Sequence, residues 1–281
     1  MSAVAARLAD GRLHLQHGPI DLLVEAFGAA DEIERAYGQA IDCFGDVLTT
    51  LVGELAVLRR PVSEAYPLLR GPVARRMAEA VWPHRAAFIT PMAAVAGAVA
   101  DEMLQAMVRG RTLAKAYVND GGDIALHLAP GQSLRAGIFA HALDGVALLT
   151  HERPVRGIAT SGWGGRSFSL GIADSVTVLA ATAAAADAAA TMIANAVNAD
   201  HPAIERRPAR SLDPDSDLGE RLVTVAVGAL LPEIVDTALD RGLAEARRLR
   251  LCGLIDSVAL SVQGQWRLET GGTPLALSEA G

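Results

Sequence analysis

The chain has 281 residues, 51% of them hydrophobic and only 4% aromatic, with a formal net charge of −7. That length supports a sizeable core, which small aliphatic side chains must fill. A negative balance, a single lysine at Lys115 and the lack of a dense basic run argue against a nucleic-acid partner.

Residues 11–17 (GRLHLQH) read as a first strand. Residues 20–58 read as mostly helical, with Leu48, Leu51, Val52 and Leu55 recurring at helical spacing. Pro61 and Pro67 punctuate the exit, and residues 71–82 form a short helix or turn segment. Thr90-Pro91 marks a helix start, a hydroxyl cap followed by proline at the first helical position, and Gly110 marks its end. The first half of that helix is Ala, Val and Gly, suited to packing close to a sheet.

A run of strands follows: 116–118, 124–128, 134–140 and 146–150, in a pattern expected for an antiparallel meander. Residues 156–160 and 175–179 add two more, followed by an Ala-rich helix over about 182–197. Residues 200–220 are polar and proline-rich, the expected site of a long surface loop or a subdomain boundary. Residues 222–230 form a buried strand, 232–250 an amphipathic helix, and 254–268 a closing hairpin around Gly264. Helices interleaved with mostly antiparallel strands define an α+β class, expected as a single domain over 1–281.

Cys43 and Cys252 have neither metal spacing nor the makings of a disulfide framework. The seven histidines show no paired ligand spacing, so no zinc site is expected. No apolar stretch reaches the roughly 20 residues of a membrane span, and no basic segment followed by an apolar run opens the chain. A cytoplasmic protein without a membrane partner is expected.

The stretch Arg156–Asn198 carries the strongest functional signal. Its glycine-rich loop holds Thr160, Ser161, Gly162 and Arg166, and its helix carries Asp187 and Thr191 at i and i+4, on one face. Backbone N–H groups freed by glycine can approach an anion, and an oxygen pair can hold a hard cation such as magnesium. Against this stand a solvent-facing Asp with a core Thr, and a loop whose glycines only turn. Trp163 is suited either to stacking on a planar ring or to seating the loop against a neighbouring subunit. Asn119, Gly121, Gly122 and Asp123 suit a phosphate or ribose cradle and equally a hairpin turn. Asp174 is a second acidic candidate, or a turn cap. DPDSDLGE (213–220) resembles a calcium loop in composition only.

Three segments resemble the ApbE superfamily of FAD:protein FMN transferases, and more closely a bacterial and archaeal branch of it. ITPMAAVAGAVADEM (89–103) is similar in place to the family's small-residue helix. AYVNDGGDIALHL (116–128) resembles its strand–Asn-x-Gly-Gly-[Asp/Asn]–strand element. IATSG (158–162) and DSVTVLAATAAAADAAAT (174–191) resemble its A-T-S-G turn, S-V-T-V strand and A-D-A-x-x-T helix. The resemblance covers about residues 85–200. It implies an ApbE-like fold, FAD as substrate, and magnesium held by Asp187 and Thr191. It places Asn119, Gly121, Gly122 and Asp123 near the nucleotide, and Thr160 and Ser161 on the flavin-side turn. It also implies transfer of FMN to a Ser or Thr hydroxyl of a protein partner. Two family elements differ: GWGGRSFSLGIA lacks the usual His and Pro, and ITPMAAVAGAVA lacks the usual acidic residue and lysine.

The leading expectation is a magnesium-dependent enzyme acting on a flavin or another phosphorylated small molecule. Loop N–H groups and Arg166 steady the phosphate, and Asp174 or Asp123 accepts a proton. A non-catalytic nucleotide binder is the second reading. A homo-oligomer packed through small-residue helices is the third.

Overall fold

The computed structural model describes residues 3–140, 143–273 and 275–279. The chain divides into two compact units interleaved along the sequence. The first comprises Met1–Leu134, Thr150–Ala159 and Ala181–Asp187; the second comprises Arg135–Leu149, Thr160–Ala180 and Ala188–Gly281. Among the described residues no helix is long and apolar enough to cross a membrane.

In the first unit, β1 (Val4–Arg7), β2 (Leu13–His17), β3 (Ile20–Gly28), β4 (Leu113–Asp120) and β5 (Asp123–Leu128) pair antiparallel in that order. Beyond β5, Ile124 pairs with Ile158 at the start of β8 (Gly157–Ser161). The stretch 20–28 corrects the expectation of helix from residue 20. Ile20, Leu22, Val24 and Ala26 alternate inward with period two, a pattern that the intervening Leu23 hides in the sequence. The helix α1 (Ala30–Leu58) starts only afterwards, burying Phe44, Val47 and Leu51.

The short helix α2 (Pro72–Val81) has its proline in the first turn. Thr90 precedes a 3-10 turn over Pro91–Ala94 without a side-chain capping bond, and α3 (Val95–Val108) continues from it. Gly110, at φ +67°, follows α3 as expected of a helix stop. Helix α3 lies on β4 and β5 and against α1. Met103 and Met107 are fully buried in the same core as Leu15, Leu22 and Phe44.

In the second unit, β9 (Ser175–Ala180), β12 (Ser257–Val262) and β13 (Gln265–Glu269) form an antiparallel run. The β12–β13 turn uses Gln263 and Gly264 at positive φ. Helix α6 (Pro232–Leu251) packs on β12 and β13, where Gly242 lets it meet Val197 and Leu260 closely. Strand β6 (Ser133–Ala140) lies beside β7 (Leu143–Thr150), which also pairs with β14 (Leu275–Glu279).

The expected long loop at 200–220 is partly ordered: β10 (Ile204–Pro208) pairs with β11 (Leu222–Val227), and a one-turn helix, α5 (Ala209–Leu212), follows β10. Polar composition concealed β10. Only Ile204 of it is buried, and Arg206 is held by the Asn198 side chain and the Ala199 carbonyl. Residues 213–220 are turns. The Ala-rich helix is α4 (Ala183–Ala196).

Candidate functional site

The site grows from the β4–β5 hairpin. Asp120 and Asp123 are directly paired across a two-residue turn of Gly121 (φ +62°) and Gly122 (φ +113°), a conformation that requires glycine. The Asn119 side chain closes the turn, its Oδ1 accepting the Gly122 N–H at 2.8 Å. Asp120 and Asp123 are 5% and 9% exposed. The turn is therefore structural and also sets two carboxylates side by side in a largely dry place.

The third carboxylate arrives from α4. A Cβ on Gly97 or on Gly157 would run into the backbone at residues 182–184, so these glycines let α3 and β8 lie directly against the start of α4. Asp101 of α3 fixes that contact by accepting the Ala183 and Ala184 N–H groups at 3.0 and 2.9 Å, a cap supplied from another helix. One turn on, Asp187 Oδ2 accepts the Gly97 N–H at 3.1 Å.

Asp187 lies deep among packed atoms yet keeps part of its surface accessible. Burial, and then the charge of Asp123, push its carboxyl well above the usual carboxylate range. A hydrogen bond shared with Asp123 and the charge of Asp120 act in the same direction, while the Gly97 N–H opposes them. Thr191, half-buried, follows one turn later on the same helix.

The remaining sequence-derived residues belong to the second unit. Thr160 Oγ1 lies 2.9 Å from Thr177 Oγ1. Ser161 is half-buried, and Arg166 is exposed. Gly162 sits where a Cβ would meet the Asp174 carbonyl. Within the loop, the Trp163 N–H is donated to Ala173 O at 2.9 Å and the Gly165 N–H to Gly162 O at 3.3 Å, so two cradle donors are engaged internally. Trp163 is half-buried, with its indole N–H donating to Asp174 Oδ1 at 3.1 Å. Asp174 Oδ2 accepts the Gln263 N–H at 2.6 Å. Asp174 thus clamps the glycine loop to the β12–β13 turn with both carboxylate oxygens.

Sequence reasoning did not single out Asp120, Asp101 or Gly97. The signal for Asp120 was its place opposite Asp123 across Gly-Gly. Asp101 and Gly97 gave none, because their partners lie more than eighty residues away.

Among the described residues no three His, Cys, Asp or Glu side chains converge as a cage for a metal ion. Asp187, hydrogen-bonded to Asp123, offers hard oxygen donors without such a cage, and Thr191 adds a hydroxyl one turn further along the same helix. That donor set fits a magnesium ion, which takes one or two carboxylates and completes its shell with water and phosphate.

The family described as AbpE bacteria matches residues 5–268 of the chain. The chain belongs to this family. It is thus a branch of the ApbE-like superfamily, as the three sequence segments implied. Curated relatives of this AbpE member are UPF0280 proteins of methanogenic archaea. That of Methanothermobacter thermautotrophicus is 41% identical over 118 residues, covering 41% of this chain and 45% of its own. That of Methanosphaerula palustris is 41% identical over 140 residues, covering 48% and 56%. The chain spans about half the length of the curated relatives it matches. Among solved structures it is similar to the apo form of the flavinyl transferase ApbE of Pseudomonas stutzeri (TM-score 0.48, 12% identity, covering 96% of this chain and 94% of that one). It is also similar to the flavin transferase ApbE of Vibrio cholerae (TM-score 0.43, 13% identity, covering 96% and 97%).

Proposed function

We propose that this chain is a magnesium-dependent enzyme acting on the phosphate of a flavin or related nucleotide, with FMN transfer from FAD to a protein hydroxyl as its specific reaction. The observation that carries the reading is the Asp187 carboxyl, buried and hydrogen-bonded to Asp123 in a place too crowded for two free negative charges. Membership of the AbpE family and the A-T-S-G and A-D-A-x-x-T resemblances support it.

Asp187 and Thr191 would hold the ion, which when bound would supply positive charge at a pyrophosphate. Asp123 accepts the proton of the attacking hydroxyl as its oxygen bonds to the FMN phosphorus, the anhydride P–O bond breaks and AMP leaves. Asp123 is assigned this role by its place beside Asp187, whereas Asp174 clamps Trp163 and Gln263. Asn119 keeps the hairpin in the shape that aims Asp123. A soluble cytoplasmic setting agrees with FAD as substrate.

A second reading, a nucleotide binder without chemistry, draws on ITPMAAVAGAVA, where the family's acidic residue and lysine are replaced and where Gly97 leaves no room for a side chain. Titration with FAD, with and without Mg²⁺, followed by product analysis, separates the two. Mg²⁺-dependent binding with AMP release supports the enzyme. Binding without turnover supports the binder, and no binding rejects both.

A further inference from the structure

Helix α1 carries two apolar stripes. The inner one, with Phe44, Val47 and Leu51, is buried in the core of the first unit. The outer one runs through Gly38, Ile41, Gly45, Leu48, Val52 and Leu55, in alternating steps of three and four. That is the spacing of a seam between two helices. Ile41 is 43% and Val52 58% exposed, and Leu48 and Leu55 are half-buried.

Two of the three glycines of α1 lie on this stripe and add an independent observation; the third, Gly53, lies off it. Glycine is the poorest helix former after proline, and this is a 29-residue helix. Both glycines are exposed, both lie on the stripe, and a Cβ on either would meet nothing within 4 Å. Nothing within the chain therefore requires them to be small.

We propose that α1 of a second copy packs antiparallel on this stripe, forming a two-fold symmetric dimer. Centred between Asp46 and Val47, the antiparallel register sets Gly38 opposite Leu55, Ile41 opposite Val52, and Gly45 opposite Leu48. Each small residue then receives a large one. The same register brings Glu34 at one end of the stripe against Arg59 at the other, twice. Charge complementarity thus selects the antiparallel over the parallel pairing, which would set Glu34 against Glu34. Glu34 also pairs with Arg7 in its own chain and its side chain remains 66% exposed. At 1.5 Å per residue the helix is about 43 Å long, enough for a seam of several turns.

Light scattering on the full chain at micromolar concentration tests this. The expected mass is about twice the 29.2 kDa of one chain. Gly45→Gln, which fills the notch with a better helix former, is expected to give a monomer that melts no lower than wild-type protein diluted to monomer. Glu34→Arg is expected to weaken the dimer about tenfold or more, and adding Arg59→Glu in the same chain to restore it. A 29.2 kDa wild-type species overturns the proposal and leaves the stripe to another occupant, such as a lipid surface or a different protein. A dimer indifferent to both Gly45→Gln and Ile41→Asp also overturns it.

Discussion

At the scale of single residues, the same residue type is put to different uses by its neighbours. Asp187 is pushed upward by burial and by Asp123. In Asp187→Asn the amide oxygen still accepts the Gly97 N–H, so the fold is expected to persist, with an unchanged circular dichroism spectrum. Flavin turnover is expected to fall by more than the roughly 10- to 100-fold typical of losing an outer-shell partner of a metal. Full activity in this variant would sink the proposed mechanism.

Asp256 is the converse case. Burial tends to raise its carboxyl, yet hydrogen bonds from the Ser257 hydroxyl and from the Gly272 and Thr273 N–H groups bring it below the usual value. A depressed folded value contributes stability above the unfolded value of about 4 that is lost as pH falls through the folded one. Asp256→Ala is therefore expected to lower the melting temperature at pH 7, with the gap to wild type closing below about pH 4. A gap that widens in acid would contradict this assignment.

At the scale of elements, the contact between α3 and the start of α4 is the joint on which the acidic site depends. Its small residues act by letting backbone approach backbone, and Asp101 satisfies the two N–H groups that this approach buries. Asp101→Ala is expected to cost about 1–2 kcal/mol in urea unfolding. Gly97→Val is expected to cost about 1–3 kcal/mol or more from overpacking and also to weaken nucleotide binding, because it moves Asp187. A Gly97→Val protein as stable as wild type would mean that the helices separate without penalty. The β4–β5 hairpin is less sensitive to distant change, since Asn119, Gly121 and Gly122 carry its turn locally.

At the scale of the whole molecule, the first unit is assembled from three separate stretches of chain. Within it Ile124 of β5 pairs with Ile158, and α3 meets Ala183 and Ala184, partners supplied after residue 149. A fragment ending at Leu134 lacks these later segments and leaves Gly97 and Asp101 of α3 without the Ala183–Ala184 backbone that packs on them. Such a fragment is expected to show no cooperative thermal transition by circular dichroism. A sharp transition near that of the full chain would show that the later segments add little.

Local sequence was enough for the α+β class, the positions of α2, α3, α4 and α6, the Asn119–Asp123 hairpin and the family. Periodicity, proline at helix starts, glycine at positive φ and short motifs are local signals, written within a few residues of what they cause. Residues 20–28 read as helix because Leu23 and Phe27, apolar at outward positions, blur the alternation, and β10 reads as loop because one buried residue does not make a pattern. Only in the folded chain does Asp187 meet Asp123, do Gly97 and Asp101 build the joint beneath them, and does Asp174 clamp a loop. These are contacts between residues far apart in the chain. Their energy depends on burial and on the charge of a neighbour, quantities that exist only once the chain has folded.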